Sequence, residues 1–168
     1  YSAIGTGVVF TAATVGVLVS SFSSERLARS WSQRVLIIAG FLLTVVGIGL
    51  LLLLVHSSSR VVAFVPGLLL VGLGLGVMLT PSVNVVQSSF AEELQGEISG
   101  LSRSVSNLGS SFGTAIAGTI LVSVVELGTR SYAVAMVVLA GFGLLGLAAA
   151  FRLPADAGRS SVDRSAPG

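Results

Sequence analysis

Five charge-free apolar runs occupy most of this sequence, at about residues 3–22, 35–55, 61–83, 104–125 and 131–151. Each run is long enough to cross the hydrocarbon core of a bilayer, which takes about 20 helical residues. Sixteen of the twenty-one residues in the second run are Leu, Ile, Val or Phe. On an insertion scale they contribute very roughly −7 kcal/mol, and no charge opposes them. We therefore expect five transmembrane helices.

The composition excludes a water-soluble domain. Of the 168 residues, 53% are hydrophobic and only 10% are charged, and the mean hydropathy is +0.98. Soluble domains carry about 25% charged residues. The sequence has no cysteine, so disulfides and thiolate metal sites are excluded. The predicted fold class is an all-α membrane protein with the lipid bilayer as its surroundings.

The arginines predict the orientation in the membrane. Connectors one and three and the C-terminal tail share one side and hold seven of the nine arginines. That side is predicted to be cytoplasmic, because basic residues are retained there. Residues 1–153 are then a multi-pass region of the cell membrane, and residues 154–168 are a disordered cytoplasmic tail. Since the chain begins at Tyr1 rather than Met, we also expect it to continue a longer protein.

Residues 96–122 predict a helix with two unlike sides. At about 100° per residue, one side carries bulky apolar residues and the other carries small and polar ones. The bulky side holds Leu101, Val105, Leu108, Phe112, Ile116 and Ile120. The opposite side holds Arg103, Ser106, Asn107, Ser110, Gly113, Thr114, Ala117 and Gly118. In a bilayer the bulky side can face lipid, and the small side can pack against helices or line a wet cavity.

Glycines in the third and fourth runs predict close helix packing. Gly72, Gly74 and Gly76 are spaced along the third run, and Gly109 and Gly113 form a GxxxG motif in the fourth. Small residues of this kind let neighbouring backbones approach closely. The motif could also mark a dimer interface, but packing within one bundle is the favoured interpretation.

The third connector contains a candidate capping box, Ser89-x-x-Glu92, which predicts the start of a short helix. Gly96 and Gly100 are then expected to break or bend that helix before the fourth run. The glutamates of this connector have two interpretations: a solvated face, or a cluster of charges with Arg26 or Arg29. Exposed ion pairs contribute only about 0–1 kcal/mol each.

Chemical motifs are few. His56 is the single histidine, and we expect it at the outer edge of the membrane. No metal-ligand spacing, phosphate-binding loop or catalytic triad occurs in the sequence, so neither a cofactor nor enzymatic activity is expected. The arginines are scattered singly, whereas a nucleic-acid-binding face would cluster them, so no nucleic-acid partner is expected.

Four segments resemble the major facilitator superfamily, specifically its multidrug proton-antiporter branch. They are YSAIGTGVVF, SSERLARSWSQRVLIIAG, GLLLVGLGLGVMLTPSV and SFAEELQGEISGLSRSVSNLGSSFGTAIAGTIL. The resemblance implies that the five runs are the last five helices of a transporter and part of its C-terminal bundle. It also implies that runs one, three and four lie beside the central cavity, whereas runs two and five are peripheral.

The resemblance implies two sets of site residues. The candidates for the substrate cavity are Thr11, Thr14, Asn84, Gln87, Ser106, Asn107, Ser110 and Thr114. The candidates for a cytoplasmic gate are Arg26, Arg29, Arg34, Glu92, Glu93 and Arg103. For each cavity candidate, an interhelical hydrogen bond or a hydroxyl bonded to its own backbone is an equally good interpretation.

Three functions remain open from the sequence. The first is the C-terminal fragment of an efflux permease that exports small amphipathic drugs or metabolites by alternating access, with a missing N-terminal half and with protons as the coupling ion. Leu68 and Val71 stand where the corresponding helix of the N-terminal half carries arginine and glutamine, so the resemblance places proton coupling in that missing half. The second is a non-transporting membrane subunit or scaffold. The third is a carrier of the same family for sugars or organic acids.

Overall fold

Five α-helices and two short 3₁₀ turns form the regular structure of the computed structural model, which describes residues 3–57, 61–123 and 129–154. The helices are α1 (Ala3–Ser30), α2 (Gln33–Ser57), α3 (Val65–Ser88), α4 (Gln95–Ser123) and α5 (Thr129–Phe151). The 3₁₀ turns are Val61–Phe64 and Glu92–Leu94. The predicted tail beyond Pro154 and the side chains of Arg29 and His56 lie outside the described residues.

Three of the five predicted spans are confirmed as helical segments that are long and apolar enough to cross a membrane. They are Gln33–Leu54, Val62–Ser88 and Tyr132–Phe151. Among the described residues, α1 contributes a shorter apolar segment, Phe10–Ser23. α4 is less apolar than the others because serines and Asn107 interrupt its apolar residues. That α1 and α4 also cross the bilayer stays a prediction.

The helices extend beyond the predicted spans. α1 continues to Ser30 through the first arginine connector, because this stretch contains no glycine or proline that would end a helix. Only Trp31 and Ser32 separate it from α2. The backbone N–H of Val35 donates to Ser32 Oγ at 3.4 Å, so the serine satisfies a donor in the first turn of α2.

α3 lies between α1 and α2, and α5 packs on α2. Glycine makes this close packing possible on both sides of α3. A Cβ added at Gly72 would overlap the backbone carbonyl of Ala13 in α1. On the other side, a Cβ added at Gly74 would overlap Thr44 Oγ1 and lie 2.6 Å from the carbonyl oxygen of Gly40 in α2.

The α3–α4 connector differs from its prediction. Ser89 ends α3 instead of capping the next helix, and its Oγ donates back to the Val85 carbonyl oxygen at 2.7 Å. The turn at Glu92–Leu94 has no side-chain cap, so the predicted capping box is wrong. α4 begins at Gln95 and includes Gly96 and Gly100, so these two glycines do not break the helix. A helix tolerates such glycines at about 1 kcal/mol each.

Candidate functional site

The polar side of α4 is open along its length. Ser106, Ser110 and Thr114 recur every four residues and therefore share one face of the helix, and Asn107 lies beside them. All four side chains are exposed. α4 contacts α5 and, less extensively, α3, and neither contact covers this face. These four side chains are uncharged hydroxyls and an amide, which suit hydrogen bonding to a neutral or weakly polar molecule. Arg103, on the same side, lies about one turn nearer the start of α4.

The cavity candidates on α1 are also exposed, but their hydroxyls bond within the helix. Thr11 Oγ1 donates to the Gly7 carbonyl oxygen at 2.9 Å, and Thr14 Oγ1 donates to that of Phe10 at 3.2 Å. The alternative interpretation, a hydroxyl bonded to its own backbone, therefore describes both threonines. Each oxygen can still accept a hydrogen bond from another molecule.

The two candidates on α3 have different surroundings. Asn84 is exposed and lines an open cleft of about 250 Å³ with Leu79, Thr80 and Val83. Gln87 is half-buried, and its Nε2 donates to Ser99 Oγ at 2.9 Å. Gln87 thus joins the end of α3 to the start of α4 instead of facing a cavity. The cavity candidates on the three helices are not gathered into one enclosed pocket in the described part of the chain.

The Gln87–Ser99 bond leads to a first prediction. Replacing Ser99 with alanine removes the acceptor, and a net hydrogen bond contributes about 0.5–1.5 kcal/mol. We expect backbone amides in the first two turns of α4 to exchange with solvent deuterium about fivefold faster. Ser104→Ala is the matched control, since Ser104 Oγ donates only to the Gly100 carbonyl oxygen of its own helix. Equal exchange rates in the two variants would contradict the role of this bond.

The gate candidates do not form the proposed charge cluster among the described side chains. Arg26, Glu92, Glu93 and Arg103 are all exposed, and no ion pair joins them within residues 3–57, 61–123 and 129–154. Arg34 has a defined partner that sequence reasoning missed. Its Nη2 donates to the Phe151 carbonyl oxygen at 2.8 Å, which satisfies an acceptor at the C-terminal end of α5.

The packing candidates separate into two groups. Gly72, Gly74 and Gly76 are buried where α3 meets its neighbours. At Gly109 and Gly113, an added Cβ would meet no atom of the described chain within 4 Å. The GxxxG motif of α4 is therefore not closely packed against another helix within the described residues. In the same residues, no group of three or more His, Asp or Glu side chains could hold a metal ion.

Sequence reasoning also missed a cleft between α2, α3 and α5, because it placed α2 and α5 at the periphery. The cleft has a volume of about 280 Å³ and is open on one side. It is lined by Ile37, Phe41, Ser82, Val85, Val86, Gly146, Ala149, Ala150 and Leu153. No local pattern in the sequence indicates this cleft, because Phe41 and Gly146, which are in contact beside it, are 105 residues apart.

Comparison with known proteins relates the whole chain to one family. A family model described as the Major Facilitator Superfamily matches residues 1–168. The quinolone resistance protein NorB of Staphylococcus aureus (strain NCTC 8325 / PS 47) is 30% identical over 149 residues, which are 86% of this chain and 32% of NorB. The puromycin resistance protein pur8 of Streptomyces alboniger is 29% identical over 123 residues, 71% of this chain and 24% of pur8. The chain thus spans about a quarter to a third of the length of these curated relatives.

Proposed function

Because this chain belongs to the major facilitator superfamily, we propose that it forms the C-terminal five-helix part of an efflux permease that works by alternating access. Membership in this family makes it a multi-pass membrane transporter protein and confirms the prediction that it is not an enzyme. In the proposed mechanism, α1 and α4 cross the bilayer with the other three helices. An N-terminal bundle outside this chain completes the cavity and rocks against these helices.

The exposure of α4 on both sides carries the proposal. Leu101, Leu108 and Phe112 are each about 60% exposed on the bulky side, and Ser110 and Thr114 are exposed on the opposite side. A helix with two such faces can contact lipid with one and a wet cavity with the other. The uncovered polar face is where a second bundle would enclose a substrate.

The chemistry of this face favours small amphipathic substrates. The cavity candidates are hydroxyl and amide side chains on helices that also expose apolar residues, and none of them is charged. A mostly apolar site with a few polar groups is typical of small-molecule binding. NorB and pur8 are named for resistance to a quinolone and to puromycin. We therefore propose drugs or related metabolites as the cargo, ahead of organic acids, which a cationic site would suit better.

Proton coupling is the proposed source of energy, and its machinery lies outside the described spans of this chain. The runs at residues 35–55, 61–83 and 131–151 contain no charged residue that could carry a proton through the membrane. The arginine-rich ends of the helices are proposed to face the cytoplasm.

Export by the full-length protein tests the proposed function. Cells that express the complete gene should accumulate less of a fluorescent quinolone than cells that lack it, and dissipating the proton gradient should abolish the difference. Residues 1–168 alone, reconstituted in vesicles, should not move the compound against a gradient. Equal quinolone accumulation in the two cell types, together with altered uptake of a sugar or an organic acid, would instead support a carrier of the same family for sugars or organic acids. No change in any flux would favour a scaffold.

A further inference from the structure

We propose that the cleft between α2, α3 and α5 binds one anionic phospholipid, with an acyl chain between the helices and the phosphate beside Arg34 and Arg152. All three helices that form the cleft contain segments able to span a membrane. The inference therefore depends on the membrane setting of the family and not on the proposed export of drugs.

The walls of the cleft suit a hydrocarbon chain. Apart from Ser82, every side chain that lines it is apolar, or absent in the case of Gly146. Ser82 Oγ donates to the Met78 carbonyl oxygen of its own helix at 2.6 Å. Its donor is thus occupied, and the cleft offers little to a polar ligand. The base of the cleft is well packed, because Ile37, Val85 and Ala150 are buried and contact one another.

Two arginines lie at one end of this cleft. Arg34 precedes the lining residue Ile37 by less than one helical turn, and its guanidinium bonds the Phe151 carbonyl oxygen at 2.8 Å. Arg152 is the next residue and is exposed, and Leu153 after it lines the cleft. In the described part of the chain, neither arginine forms an ion pair with a carboxylate.

This end of the bundle also has a marker of the membrane interface. Trp31 lies three residues before Arg34, between α1 and α2, and is 56% exposed. Tryptophan is enriched at the level of the lipid headgroups, and basic pockets between helices bind anionic headgroups. An apolar cleft that ends at two arginines thus complements a phospholipid in both shape and charge.

Binding of a spin-labelled phosphatidylglycerol to the full chain in nanodiscs tests this proposal, with the label on the acyl chain and phosphatidylcholine of the same chains as the neutral reference. We expect the immobilised component of the spectrum to be larger for phosphatidylglycerol. Arg152→Gln should weaken that preference about fivefold, since one basic residue near an anionic surface contributes roughly that factor. Arg152→Gln leaves the bond from Arg34 to the Phe151 carbonyl oxygen intact. Arg34→Gln would remove both that bond and the proposed contact with the phosphate.

A second pair of variants tests the cleft itself. Ala149→Phe should fill it and remove the immobilised lipid. Ala148→Phe is the matched control, because Ala148 is exposed on the same turn and does not line the cleft. Arg103→Gln, on α4, should leave binding unchanged. Equal immobilisation of the two lipids would overturn the proposal, and so would unaltered binding in Ala149→Phe with a normal helical circular dichroism spectrum. Displacement of the lipid by a quinolone at the same cleft would assign the cleft to the cargo instead.

Discussion

Gly72→Ala is expected to lower the free energy of unfolding of the bundle by about 1–3 kcal/mol, the usual cost of overpacking. The added Cβ would overlap the Ala13 carbonyl in α1, and backbone atoms cannot rotate away as a side chain can. The interface is closely packed from both sides, since a Cβ at Gly16 would lie 2.6 Å from the Leu69 carbonyl oxygen of α3. α1 and α3 would have to separate along this contact.

The matched control is Gly49→Ala in α2, where an added Cβ meets nothing within 4 Å. Alanine is favoured over glycine within a helix by about 0.5–1 kcal/mol, so this variant should be as stable as the original or more so. The thermal midpoint of the purified protein in detergent measures both effects. A Gly72→Ala midpoint at or above that of Gly49→Ala would refute the close α1–α3 contact.

Ser110→Leu is expected to reduce drug export by the full-length protein about tenfold or more. A leucine would place a bulky apolar group at the centre of the polar face of α4, between Ser106 and Thr114. In the proposed complete cavity the substrate contacts this face. Overpacking a contact costs about 1–3 kcal/mol, and each 1.4 kcal/mol is a factor of ten in binding. The initial rate of quinolone efflux from preloaded cells measures the change.

Ser111→Leu provides the control for this variant. Ser111 is the neighbouring residue and is also exposed, and its Oγ donates to the Asn107 carbonyl oxygen of its own helix at 2.9 Å. It lies about 100° around the helix, at the margin of the polar face. We expect at most a twofold loss of efflux at equal amounts of protein in the membrane. Similar losses in both variants would mean that the polar face of α4 has no special part in transport.

The sequence predicted the helices well where the signal is local and repeated. The runs that became α2, α3 and α5 are apolar over about 20 residues, and a bilayer-spanning helix needs little more than that. The predicted capping box is wrong because the Ser89 hydroxyl has another acceptor within reach, a backbone carbonyl of α3. The Ser89 hydroxyl is close enough to the last turn of α3 to donate there, and so the next helix starts without it.

Contacts between distant parts of the chain were beyond the reach of pattern reasoning. Arg34 and Phe151 are 117 residues apart, and nothing in the local sequence of either predicts that a guanidinium will cap α5. Gly109 and Gly113 show that a local motif can also predict a close contact that the described chain does not make. Their motif predicts packing, but no described atom of another helix lies close enough to require a glycine at either position.

Labelling single cysteines in intact cells tests the central claim that α4 crosses the membrane together with α3 and α5. Residues 1–168 contain no cysteine, so an introduced thiol is the only one in this part of the protein. We expect a membrane-impermeant maleimide added outside to label Val62→Cys, before α3, and not Phe90→Cys, between α3 and α4, or Arg152→Cys, after α5. Labels at the last two positions should require permeabilised cells. If α4 did not cross, α5 would carry residue 152 to the outer face, and labelling of Arg152→Cys in intact cells would contradict the account.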